Sequence, residues 1–167
     1  MENFKYRGNI IQVSEEKIDG ITWERAYLPD GVIIFPITAE GKIILILEKR
    51  PHENPPQRIK PVSGILELDK GSPLENAQRE LQEEIGLRAD DLQELMVLGS
   101  SGTVNSKQYF FVGRNLVPDK LPNPDGEDII LGTLELTPQE LREKLFNGEL
   151  KWSLSTLGIF KLLETLR

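Results

Sequence analysis

A chain of 167 residues that is 38% hydrophobic and 28% charged can bury one core and is too apolar to stay unfolded. Its net charge of −7 and pI near 4.9 argue against a nucleic-acid partner, so an anionic substrate must meet local positive charge or bound metal. Zero cysteines exclude disulfides, thiolate metal ligands and cysteine nucleophiles, and suit a reducing, cytoplasmic setting. The longest aliphatic run, Ile43–Leu47, is five residues, against the ~20 a spanning helix needs. The segment Met1–Tyr6 has no apolar signal core, so neither a membrane partner nor secretion is expected.

Alternating stretches around Asn9–Val13 and Ile21–Tyr27, separated by an acidic turn over Ser14–Gly20, predict a β-hairpin. Pro29-Asp30-Gly31 then punctuates the chain, so residues 1–28 read as an N-terminal strand arm and 29–167 as the main domain. Val32–Pro36 and Ile43–Glu48 follow as buried strands, and Lys49–Lys60 as a loop rich in proline and charge. A helix is expected over Pro73–Ile85 and strands near Glu94–Gly99 and Lys107–Arg114. Next come a loose segment over Val117–Gly126 and a strand near Ile129–Leu136. Helices are expected over Pro138–Phe146 and about Leu154–Leu166. Strands with helices interspersed imply an α/β or α+β sandwich.

The helix at Pro73–Ile85 carries the chemistry. Ser72-Pro73-Leu74-Glu75 is a capping box with proline at the first helical position, and Gly86 is a left-handed terminator. Leu74, Ala77, Leu81 and Ile85 form an apolar stripe. Glu80, Glu83 and Glu84 stand at i, i+3 and i+4 and share an adjoining face, where like charges repel, with Arg79 four residues before Glu83. A solvated acidic face would explain three glutamates taken alone. The string Arg79-Glu80-Leu81-Gln82-Glu83-Glu84-Ile85-Gly86-Leu87, behind the loop Lys60-Pro61-Val62-Ser63-Gly64, is more specific.

That string resembles the second half of the Nudix box, G-x5-E-x7-R-E-U-x-E-E-x-G-U with U a bulky aliphatic residue, at every fixed position from the arginine onward. The first half departs from it. Gly71 stands where the box has glutamate, and the leading glycine is Gly64, one residue early, with Glu67 or Asp69 as stand-ins for the missing carboxylate. Within the Nudix hydrolases the chain is similar to the ADP-ribose and ADP-sugar pyrophosphatase branch. The likeness lies in the N-terminal hairpin, Leu28-Pro29-Asp30-Gly31-Val32, Glu48-Lys49-Arg50, Pro-x-x-Gly before the box, and Gly126-Glu127-Asp128-Ile129. The stretch Gly99-Ser100-Ser101-Gly102-Thr103 lacks the proline with which members mark their substrate class.

The resemblance implies an α/β/α sandwich with a mixed sheet and a Mg²⁺-dependent hydrolase, Mn²⁺ serving as a substitute. Such an enzyme cleaves a nucleoside diphosphate linked to another moiety such as a sugar. Glu80 and Glu84 are then direct metal ligands, Glu83 a bridging and catalytic carboxylate, the Ser63 carbonyl a further ligand, and Arg79 the orienting residue. Glu127, ranked before Asp125, is expected as metal ligand or general base, unless both belong to a solvated acidic turn. Arg50 resembles a family phosphate contact; Arg58 and Lys60 add positive charge to the loop, or are solvated strand-end charges. Trp23 and Arg25 are expected either to hold a base across a homodimer interface or to serve as ordinary strand residues. His52 has no assigned role, and Trp152 is expected in the core. A non-catalytic binding module is the rival reading, and a ligand-free acidic scaffold a third.

Overall fold

The computed structural model describes residues 2–100, 102–122, 129–150 and 153–166. Strands β1 (Asn3–Arg7), β2 (Gln12–Ile18) and β3 (Ile21–Tyr27) form an antiparallel meander. The β2–β3 turn is the two residues Asp19 and Gly20, both at positive φ, the geometry that suits a tight hairpin. Two expectations are corrected here. The supposed acidic turn is strand, because Glu16 and Lys17 pair with Trp23 and Thr22 on an exposed ribbon that tolerates charge. A further strand, β1, precedes it.

Strands β4 (Gly31–Pro36) and β5 (Ile43–Lys49) are almost wholly buried. The stretch expected as loop up to Lys60 contains β6 (Gln57–Lys60), which pairs antiparallel with β5. Its charged residues, Arg58 and Lys60, line a cleft, while Ile59 packs against the core. Strand β7 (Val62–Ile65) follows, then a 3-10 turn at Leu68–Lys70. Helix α1 (Pro73–Glu80) runs on into a π turn over Leu81–Ile85. Strands β8 (Leu87–Ser100) and β9 (Val104–Pro118) are a long hairpin, each extending well beyond its apolar centre because the pairing carries polar residues along. Strand β10 (Ile130–Leu136) and helices α2 (Pro138–Phe146) and α3 (Ser153–Thr165) complete the described chain.

Among the described residues there are two sheets. The larger is mixed, in the order β1-β2-β3-β9-β4-β7 with β8 on the far edge of β9, and β4 runs parallel to β9. The smaller is antiparallel, β10-β5-β6. The arm is tied to the main sheet by a short parallel pairing, Ala26 with Val104 and Tyr27 with Asn105.

Strand pleating divides the core in two, because successive side chains point to opposite faces. Ile33 and Phe35 of β4 and Phe110 and Val112 of β9 pack with Leu141 of α2 and Ile159 and Leu162 of α3. Val32, Ile34 and Phe111 face the other way, onto Ala77 and Leu81 of α1. Helices thus cover both faces, and the fold is the α/β/α sandwich read from the sequence. Leu74, expected on the apolar stripe, is exposed, and the polar Asn76 is fully buried instead. Trp152 lies outside the described residues.

Candidate active site

The ends of β5, β6 and β7, the end of α1 and the π turn after it meet at a cleft of roughly 1130 Å³ lined by Glu48, Arg50, Arg58, Lys60, Ser63, Gly64, Arg79, Glu80, Glu83 and Glu84. Ile10, Leu28, Pro29, Ile65 and Gln108 line it as well. A lining that mixes charged and apolar side chains suits a ligand with both anionic and apolar parts.

Helix α1 is fixed at its start by the expected capping box. Glu75 N–H donates to Ser72 Oγ at 3.3 Å, and Ser72 N–H donates back to Glu75 Oε2 at 2.7 Å. Asn76, one position on, bolts the preceding loop to the helix. Its Nδ2 lies within 3.1 Å of the carbonyl oxygens of Glu67, Gly71 and Ser72, while its Oδ1 accepts from Glu67 N–H at 3.1 Å and Arg79 at 2.6 Å. A short polar residue beside Ala77 on the buried face was the signal for it in the sequence. Of Glu67 and Asp69, it is Glu67 whose carboxylate meets the helix: its Oε2 pairs with Arg79 at 2.9 Å. Gly71 sits at φ +134°, a conformation glycine alone adopts readily, so the box glutamate has no place there.

Arg79 is held by Glu67 on one side and reaches Glu83 Oε2 at 3.2 Å and Glu80 Oε1 at 3.6 Å on the other. That is an orienting geometry. Gly64 makes room for Glu80: a Cβ on Gly64 would stand 2.1 Å from the Glu80 carboxyl carbon. Burial, with the charges of Glu84 and Glu83 beside it, pushes the Glu80 carboxyl up to about 7 against the pull of Arg79 and Lys60. Burial also raises Glu84, whose Oε2 accepts from Ser63 N–H at 3.0 Å.

Lys60, read from the sequence as loop positive charge or a solvated strand-end charge, is buried rather than solvated, and so is Glu48, to which no role was given. The Lys60 ammonium lies 3.1 Å from Glu48 Oε1 and 3.3 Å from Glu84 Oε1, and donates to Ser63 Oγ at 2.9 Å. Glu48 also takes Arg50 at 2.5 Å and Arg58 at 3.2 Å. Burial raises the Glu48 carboxyl, but Lys60 and Arg50 outweigh this and hold it below the usual carboxylate range. Arg50 and Arg58 line the cleft, with the exposed His52 at its mouth.

Not every expected residue converges here. Trp23 is half exposed on the arm and Arg25 pairs with Glu16 at 3.1 Å and Glu2 at 3.5 Å, neither lining the cleft. Asp125 and Glu127 lie outside the described residues. Among the described residues no three acidic or imidazole side chains form a closed metal cage, because Glu83 is turned to Arg79 and Glu84 to Lys60. The donor set still fits a hard divalent cation: carboxylate and carbonyl oxygens on a rigid helix and strand, crowded enough to raise Glu80, with Gly64 leaving them space.

Residues 27–153 match the NUDIX domain, and the chain belongs to the Nudix hydrolase family. A solved structure described as a crystal structure of ADP compounds hydrolase superposes with a TM-score of 0.83 at 22% identity, covering 99% of this chain and 91% of that one. No curated protein matches the sequence.

Proposed function

We propose that this Nudix hydrolase is a Mg²⁺-dependent pyrophosphohydrolase that cleaves a nucleoside diphosphate linked to a second moiety, a nucleotide sugar such as ADP-ribose. One observation carries the reading: Glu80, Glu83 and Glu84 open, beside the Ser63 carbonyl, onto a cleft whose wall bears Arg50 and Arg58. Glu80, Glu84, Ser63 O and Glu83 would hold the metal, with Glu127 from the late loop. Bound there, Mg²⁺ would neutralise phosphate oxygens and acidify water. The chain's own residues do the rest. Arg50 and Arg58 orient the diphosphate, Arg79 sets the glutamates, and a carboxylate, Glu83 or one of Glu127 and Asp125, takes the proton of the attacking water.

The fit of Glu67 to Arg79 supports an enzyme over a binding module, because it supplies a carboxylate to the arginine where Gly71 stands in place of the box glutamate. We further read the arm as the contact of a two-fold homodimer that brings Trp23 and Arg25 toward a partner's substrate. The deciding experiment is a substrate panel with and without Mg²⁺. Phosphomonoester release from nucleotide sugars, faster than from any deoxynucleoside triphosphate and abolished by chelation, is the expected result. A faster triphosphate overturns the substrate class.

A further inference from the structure

Lys60 is the feature of the cleft that the family motif does not account for. It is 4% exposed, carried at the end of β6, and it touches both the metal-facing helix and the floor of the cleft. Its ammonium sits between Glu48 Oε1 and Glu84 Oε1, with Ser63 Oγ at 2.9 Å and the Ser63 carbonyl oxygen at 3.5 Å. Two of these groups, Glu84 and the Ser63 carbonyl, are ones that the proposed function gives to the divalent ion. A cation of the protein therefore already stands on the ligand atoms.

We propose that Lys60 is a positioning residue that acts as a resident monovalent cation. It holds Glu84 and the Ser63 strand in place without metal, and competes with the divalent ion for them. The inference rests on the metal reading above. Two physical points support competition over simple preorganisation. Like charges a few ångströms apart in a partly buried site repel strongly, so a divalent ion at Glu84 is penalised by an ammonium that stays. Lys60 also has a second anchor: Glu48, itself tied to Arg50 and Arg58, draws the ammonium aside without leaving it unpaired. The lysine can thus move toward Glu48 as the ion enters. Its cost is weaker metal affinity, and its gain is a folded metal-free site.

The test is a Mn²⁺ binding titration by electron paramagnetic resonance, with melting curves in chelator. Lys60→Met and Lys60→Gln should bind Mn²⁺ about tenfold tighter than wild type, by removal of a nearby positive charge. Their metal-free forms should melt lower, since Glu48 and Glu84 lose their shared partner. Lys60→Arg, which keeps the charge, should stay near wild type in affinity. If Lys60→Met does not fold, Lys60→Gln, whose amide can still donate to Glu48, answers the question. Folded neutral variants that bind Mn²⁺ as wild type does, or more weakly, overturn the proposal. Glu80→Gln in the wild-type background separates the two readings: it should weaken Mn²⁺ binding. Unchanged binding in Glu80→Gln would remove the metal site itself, and the role of Lys60 with it.

Discussion

Gly64 leaves a space that one methyl group would fill, and Glu80 occupies it. A methyl there meets the carboxylate itself, at 2.1 Å, so Gly64→Ala must push Glu80 aside. We expect turnover to fall at least about tenfold, with a stability cost of roughly 1–3 kcal/mol from overpacking. Steady-state kcat beside a melting curve measures both. Glu84 and Glu75 share a helix and a charge but not a role. Glu84→Gln removes charge from the proposed ligand set and should lower kcat by about a hundredfold or more, a few kcal/mol of transition-state stabilisation. Glu75→Gln keeps an acceptor for Ser72 and should cost about 1 kcal/mol of stability or less, with activity near wild type. Near-wild-type turnover in a folded Glu84→Gln would remove Glu84 from the metal site. The Glu80 carboxyl also sets a pH dependence. Its pKa is raised to about 7, so the metal-free native state holds a proton that the unfolded chain releases near its ordinary value of 4.5. The native state binds more protons in that window, and stability therefore falls as pH rises from 4.5 toward 7. The fall is at most about 3 kcal/mol. Urea unfolding in chelator at the two ends of the window should show it, and Glu80→Gln should flatten it.

At the scale of elements, the loop between β7 and α1 is where the sequence departs from its family and where the structure compensates. The box glutamate is absent, but Glu67 reaches Arg79 from an earlier position, and Asn76 ties both to the helix. Restoring the glutamate by Gly71→Glu should therefore not help. Gly71 is at φ +134° and its Cβ would stand 2.8 Å from Glu75 Oε2, so the substitution strains the backbone and crowds the capping box. We expect a loss of about 1–3 kcal/mol and no gain in kcat. A more active or more stable variant would mean that Glu67 is a poor substitute. The π turn that follows belongs to the same element. Gly86 closes it at φ +69°, its N–H donating to the Leu81 carbonyl, and Lys120, just beyond β9, donates from Nζ to the Glu83 carbonyl at 2.8 Å. Helix widening of this kind recurs at functional sites, and here it falls on the residues proposed to hold metal.

At the scale of the molecule, the arm is the part least explained by one chain. Its strands expose Tyr6, Ile18, Ile21 and Trp23, an unusual density of large apolar side chains for a ribbon held to the main sheet mostly through Ala26 and Tyr27. Burying them against a second copy would relieve that exposure. Light scattering at micromolar concentration should give a two-chain mass, and Ile21→Asp with Trp23→Asp should reduce it to one. A single-chain mass for the wild type would sink the dimer.

The sequence by itself determined the elements whose signals are local. The capping box and glycine terminator bracket α1 and its π turn, the spacing of Glu80, Glu83 and Glu84 follows from helical period, and apolar runs mark β4 and β5. Those features depend on neighbours within a few residues, so no fold is needed to read them. Tertiary structure decided what depends on residues far apart. The charged stretches Glu15–Lys17 and Gln57–Lys60 became strands because partner strands bond their backbones. Asn76 became buried because a loop folds over it. Glu67 came to pair with Arg79 because the loop brings its carboxylate there. Lys60 and Glu48 became part of the site because β5 and β6 pair antiparallel, with Lys60 opposite Ile46 and Arg58 opposite Glu48. A buried ion pair has no sequence period, since its energy depends on distance in space and on the loss of water around both charges. Only the packed sheet could show that a lysine stands among the glutamates.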